Sequence, residues 1–269
     1  MLKKRIITAV CVIPLLVAAV WFGFPWFTIL LAVSGLVAAF EFYRVVATKA
    51  PPLTYPGMLW TLLLIISPHF DHPLILPGLL TSGIVVSLLW LLIHPRKDRA
   101  FLGWALTIAG ILYIGWLLSY LVALSGLEYG REWLFLAFFA NSGSDTAAFF
   151  TGRALGKHRL APNISPQKTW EGAIGGVLGA IAASLILTAV FRPLLSYGQG
   201  VVLGLIVSVF GQLGDLVESL FKRNMGIKDT SRLFPGHGGI LDRIDSVAFT
   251  GVAVYYFALA LNNGWLNWL

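Results

Sequence analysis

The sequence predicts an all-α, polytopic transmembrane protein with about nine spans and a cytoplasmic N-terminus. Three observations carry this reading. Apolar residues fill 58% of the 269 positions and charged residues only 12%, with a mean hydropathy of +0.82, whereas soluble domains hold about a quarter charged residues. Apolar runs long enough to cross a bilayer recur along the whole chain. The cations also divide unevenly between alternate connections.

The runs cover residues 6–22, 25–46, 56–67, 74–94, 101–124, 132–152, 171–191, 199–221 and 246–267. Lys3, Lys4 and Arg5 ahead of the first run resemble a signal peptide, but eight more runs follow, so an uncleaved first helix is expected. A tight Gly23-Phe24-Pro25 turn joins the first two into a hairpin. The third is short and ends at Ser67-Pro68. With the N-terminus inside, the inner connections carry 17 cations: Lys3, Lys4, Arg5, Arg44, Lys49, Arg96, Lys97, Arg99, Arg153, Lys157, Arg159, Lys168, Lys222, Arg223, Lys228, Arg232 and Arg243. The outer ones carry Arg131 and Arg192. Trp265 and Trp268 fit an aromatic belt at the outer end of the last run.

No room remains for a soluble domain of ordinary size. The expected division is N-terminal transmembrane helices over 1–130 and a C-terminal catalytic region over 131–269, forming one integral membrane unit. The single Cys11 excludes an internal disulfide and a thiolate metal cluster. The net charge of +7 is read as loops facing anionic headgroups, not as nucleic-acid binding.

Between Asp215 and Asp245, ten charged residues fall in 31 positions, leaving 21 for the other 238. Charges held this way in a membrane chain mark a functional site. Asp215, Ser219 and Lys222 share one helix face, and offer an acid, a hydroxyl and an amine to a cation and a phosphate. A helix end with an internal ion pair is the plain alternative, above all for Glu218. Pro235-Gly236-His237-Gly238-Gly239 precedes a helix starting near Ile240, a loop suited to an anion; an ordinary glycine turn is its alternative. Asp242 and Asp245 project to one side of that helix, and carboxylates suit Mg²⁺; helix capping and pairing with Arg243 would also explain them. Lys222, Arg223, Lys228 and Arg243 are candidates for neutralising phosphate charge or for binding lipid headgroups.

A second polar stretch, Asn141-Ser142-Gly143-Ser144-Asp145, interrupts the sixth run, and Asp145 there needs a partner or a water-filled cavity. Ser165 or Thr169 can cap the seventh helix, whereas Lys168 and Glu171 find no explanation in capping. Gly172, Gly175, Gly176 and Gly179 are spaced for close helix packing. Together the two polar regions point to phosphoryl or nucleotidyl transfer at a membrane.

The stretch Ser219-x-Phe221-Lys222-Arg223-x4-Lys228-Asp229-x-Ser231-x2-Phe234-Pro235-x-His237-Gly238-Gly239-Ile240-x-Asp242-Arg243-Ile244-Asp245 resembles the complete signature of the phosphatidate cytidylyltransferases, or CDP-diacylglycerol synthases. Ser165-Pro-x-Lys168-Thr169-x-Glu171-Gly172, with Asp145 before it, resembles a second region of that family. Similarity spans roughly residues 140–250, and Glu41-Phe42-Tyr43-Arg44 is also reminiscent of it. The resemblance implies that CTP and phosphatidic acid give CDP-diacylglycerol and pyrophosphate. It also implies Mg²⁺, with K⁺ as a candidate second ion, and a homodimer in the lipid bilayer with its site open to the cytoplasm; a short chain without targeting extensions is expected in a bacterial inner membrane.

On this reading Asp215, Asp242 and Asp245 bind metal, while Lys222, Arg223, Lys228 and His237 complete the catalytic set. Asp145, Ser165, Lys168, Glu171, Ser219, Asp229, Gly238, Gly239 and Arg243 form the substrate-binding set. The alternative is a polytopic ion or substrate transporter with an intramembrane acidic site, although no internal repeat of the kind common in transporters is evident. The motif of CDP-alcohol phosphotransferases is absent from the sequence.

Overall fold

The computed structural model describes the backbone of residues 2–70, 72–93, 99–191, 194–231, 233 and 238–266, and side chains among these from Val12 onward. His237, Arg232 and Trp268 therefore lie outside the described residues, as do the side chains of Lys3, Lys4, Arg5 and Cys11. Each of the nine apolar runs is helical: α1 Leu2–Phe22, α2 Trp26–Val46, α3 Thr54–Ile66, α4 Ile75–Ile93, α5 Ala100–Ser125, α6 Gly130–Leu155, α7 Trp170–Val190, α8 Tyr197–Met225 and α9 Leu241–Asn262. By length and composition six of them can cross a membrane among the described residues, namely α2, α4, α5, α7, α8 and α9. The α3 helix has 13 residues, about 20 Å at 1.5 Å per residue, against an apolar bilayer core of about 30 Å. Asn141 and Asp145 do not break α6, which runs unbroken through them.

The chain forms two compact units. The first, Met1–Gly126 with Asn224–Arg243, reaches beyond the N-terminal helices expected over 1–130, because part of the charged segment packs with them. In its core the fully buried Tyr43 ring of α2 lies against Gly57 of α3 and Gly110 of α5, where a Cβ would strike it. Tyr43 Oη donates to the Thr107 carbonyl (3.0 Å), and Thr107 Oγ1 accepts the Leu53 N–H (2.8 Å). The α5 helix carries a π-helical stretch at Ile111–Trp116, where Gly115 lets the α3 backbone at Thr61 approach.

The second unit is Leu127–Arg223 with Ile244–Leu269. Here α6 and α7 meet along their small residues: a Cβ on Gly172 would lie 3.0 Å from the Ala148 carbonyl, and one on Gly179 would collide with Ala147 and the Gly143 carbonyl. These contacts match the packing role expected of the glycines. Buried polar side chains lock four helices. Asn141 donates to Ser246 Oγ (3.1 Å) and accepts from Thr250 Oγ1 (3.2 Å), Ser144 bonds Ser208 (2.8 Å), and Gln212 donates to Ser208 and to the Ala173 carbonyl.

One feature departs from an all-α fold. The connection between α6 and α7 forms an antiparallel hairpin, β1 Arg159–Ala161 and β2 Ser165–Thr169, turned at Pro162-Asn163. Proline and asparagine favour such turns, a signal present in the sequence. Thr169, not Ser165, caps α7, its Oγ1 accepting the Gly172 N–H at 3.1 Å. We expect Gly179→Ala to lower the melting temperature of the purified protein by forcing α6 and α7 apart, a cost of about 1–3 kcal/mol for overpacking. Gly78→Ala in α4, with nothing within 4 Å of the added Cβ, should leave it unchanged or slightly raised; equal effects would contradict the close packing.

Candidate active site

In the second unit α8 brings Asp215 and Glu218 to one face, and the first turns of α9 bring Asp245. One oxygen from each of Asp215, Glu218 and Asp245 lies within 4.8 Å of the others. Glu218 is fully buried and Asp245 is 8% exposed, so mutual repulsion is poorly screened. Two lysines offset part of it: Lys168 Nζ meets Asp215 Oδ2 at 2.5 Å, and Lys222 pairs with Glu218 one turn away. Asp245 Oδ1 accepts the Ser246 N–H at 2.7 Å. Three clustered carboxylates against two ammonium groups form an all-oxygen donor set with surplus negative charge, which is the chemistry a hard divalent cation selects.

Asp215 also lines a cavity of about 580 Å³. Asp145, Ser165, Lys168 and Thr169 share its wall, and so do Arg153, Arg159 and Gln212. With two guanidinium groups and an ammonium group against two acids, Asp145 and Asp215, the cavity suits a polyanion accompanied by a cation. The hairpin supplies Arg159, Ser165 and Lys168, and Arg223 at the end of α8 donates to its Ile164 carbonyl at 3.1 Å. Glu171 is outside this lining: it takes His158 Nδ1 at 2.7 Å and the His158 N–H, closing the base of the hairpin. Ser219 Oγ stands 3.5 Å from Asp215 Oδ1.

In the first unit the signature loop leaves α8 at Gly226, which adopts φ +72°, a conformation natural to glycine. Lys228, Asp229 and Arg243 are exposed, and His237 lies outside the described residues. Asp242 commits one oxygen to the loop, its Oδ2 accepting from Thr230 N (3.0 Å), Thr230 Oγ1 (2.7 Å) and Gly239 N (2.7 Å). Gly238, at φ +80°, passes directly beside that carboxylate. Glu41 from α2 is 4% exposed and accepts from Ser231 Oγ (2.6 Å), Leu241 N (2.9 Å), Ile240 N (3.2 Å) and Thr230 Oγ1 (3.4 Å).

Of the expected site residues, the second unit thus gathers Asp215 and Asp245 in the acid cluster, and Asp145, Ser165, Lys168 and Asp215 at the cavity. Glu218, not among the expected metal ligands, joins Asp215 and Asp245 in the cluster, and Asp242 belongs to the first unit. The place of Glu218 three residues after Asp215 was a signal for this, obscured by Lys222 four residues further on, which suggests an ordinary ion pair. Arg153 and Arg159 entered the sequence reading only as topology markers. Glu41 entered it only as part of a resemblance.

Comparison with known proteins sharpens these chemical features. A family model described as the cytidylyltransferase family matches residues 3–261. The chain is 36% identical to the phosphatidate cytidylyltransferase of Brucella suis over 260 residues, covering 95% of this chain and 93% of that one. It is also 36% identical to the phosphatidate cytidylyltransferase of Bacillus subtilis over 267 residues, covering 97% and 98%. A third protein of that name, from Staphylococcus epidermidis, is 35% identical over 203 residues, covering 73% and 76%. With nearly its whole length matched, the chain belongs to the cytidylyltransferase family.

Proposed function

We propose that this chain transfers the cytidylyl group of CTP to phosphatidic acid, forming CDP-diacylglycerol and pyrophosphate. The observation that carries the proposal is Asp215: it belongs both to the carboxylate cluster and to the wall of the basic cavity. Full-length similarity to proteins named for this activity supports the choice of substrates and disfavours a transporter.

The phosphatidate phosphomonoester is mostly ionised near neutral pH, so its oxygen can attack the α-phosphorus of CTP without a strong base. The α–β phosphoanhydride bond breaks and pyrophosphate leaves. The protein's task is positioning and charge stabilisation. Arg153, Arg159 and Lys168 hold phosphate oxygens in the cavity, with Ser165 as a hydrogen-bonding partner. Asp215, Glu218 and Asp245 would hold Mg²⁺, and a bound divalent cation supplies charge stabilisation to phosphate oxygens. Lys222 balances Glu218. Asp242 belongs to the loop, keeping Thr230 and Gly239 together beside Lys228, Asp229 and Arg243.

The reading extends to nine membrane-crossing helices, an inner-membrane location, and a cytoplasmic N-terminus and site, supported by the 17-to-two distribution of cations. It also includes a homodimer and a K⁺ companion ion, supported by the family resemblance.

Detergent-solubilised protein given labelled CTP, phosphatidate and Mg²⁺ should produce lipid-soluble cytidine label, and chelation by EDTA should remove it reversibly; label persisting without a divalent ion would defeat the metal assignment. Asp215→Asn, Asp245→Asn and Glu218→Gln should each lower kcat by about 100-fold or more, as losing one charge-stabilising group does. The variants should still insert and elute like the native protein. Native turnover in Glu218→Gln would return that residue to a structural ion pair.

A further inference from the structure

Glu41 lies outside the acid cluster and the cavity lining, yet its carboxylate has four hydrogen-bond donors around it. It sits in an apolar helix, where an acid is costly, and a Leu or Met of similar size would fill the same space. Its four donors come from one segment, Thr230 to Leu241, between 189 and 200 residues away. Two of them, Ile240 N–H and Leu241 N–H, are at the start of α9, where the helix provides no acceptor of its own and favours negative charge. Gly239 belongs to the same arrangement: a Cβ there would collide with both Glu41 carboxylate oxygens and with Thr230 Oγ1. The segment so gripped is the family signature, and the single Thr230 hydroxyl proton is shared unequally between Asp242 (2.7 Å) and Glu41 (3.4 Å).

We propose that Glu41 is a positioning residue for cytidylyl transfer, its carboxylate holding Thr230, Ser231 and the start of α9 in the conformation that turnover requires. It touches no substrate and acts through the loop. This inference rests on the proposed reaction and on the loop taking part in it. The chemistry calls for a carboxylate: both oxygens accept, and every partner donates. In Glu41→Gln the amide nitrogen must replace one oxygen. The Ser231 and Thr230 hydroxyls can turn to accept from it, but the Ile240 or Leu241 N–H cannot, so one backbone donor at the start of α9 loses its acceptor.

The test is a steady-state comparison of native protein, Glu41→Gln, Ser231→Ala and the double variant, with melting temperature and folded fraction measured on each. Glu41→Gln should reduce kcat per folded molecule by about 10- to 100-fold, the scale of a roughly 1 Å misplacement, while KM for CTP and for phosphatidate stays within about threefold. Ser231→Ala should cause a smaller fall, and the two effects should be non-additive, as expected for groups in one network. A purely structural acid would change the folded fraction and leave kcat per folded molecule unchanged; that result, or strict additivity, overturns the proposal. If Glu41→Gln does not fold, Ser231→Ala decides alone: kcat within twofold of native overturns the proposal, and a larger fall with unchanged KM upholds it. If the native protein forms no CDP-diacylglycerol, the proposed reaction fails; if it does and Glu41→Gln matches it, only the role of Glu41 fails.

Discussion

A carboxylate withdrawn from water must find its compensation inside the protein, and this chain meets that demand in two ways. In the second unit it sets acids against ammonium groups, Asp215 against Lys168 and Glu218 against Lys222, and leaves negative charge in surplus. In the first unit it sets acids against neutral donors, Glu41 and Asp242 against hydroxyls and backbone N–H groups. The first solution is electrostatically open and suits a cation or a phosphate. The second ties carboxylate oxygens to the loop backbone and suits a fixed shape. The proposed cation site and the loop contacts thus draw on acids that look alike in composition.

The same demand explains the local structure around them. Lys168 reaches Asp215 from the hairpin, whose base is closed by Glu171 and His158 and whose turn is held by Arg223 at Ile164. The glycines of α7 matter here because they let α6 lie close, with Thr169 capping the helix directly after the strand that carries Lys168. Precise placement of one ammonium group thus rests on backbone packing through two helices.

Much of this was legible in the sequence. All nine apolar runs proved helical, because periods of apolar residues bounded by Gly, Pro and charge are local signals. The small-residue stripe of α7 and the Thr169 cap were legible for the same reason. The hairpin escaped because its strands are short and polar, with Pro166 inside one of them, although Pro162-Asn163 marked its turn. Among the described residues six helices satisfy length and apolarity together, and α6 is not one of them. Its sequence shows why: Asn141, Ser144 and Asp145 lower its hydropathy, while the buried network with Ser246, Thr250 and Ser208 supplies the partners that two of these residues need. Glu41 escaped for a different reason. Neighbours in sequence give no hint of an acid whose donors lie some 200 residues downstream.

That separation also bears on biogenesis. A chain made at about 5–20 residues per second exposes α2 roughly 10–40 s before Leu241 is synthesised. During that interval Glu41 stands in a nascent apolar segment without the donors that later surround it. The first unit can close only when α9 has begun, so its completion waits on about 200 residues of further translation after Glu41. A product ended before Thr230 would lack every one of the donors that surround Glu41 in the folded unit, leaving a carboxylate in its second helix to be hydrated or protonated instead.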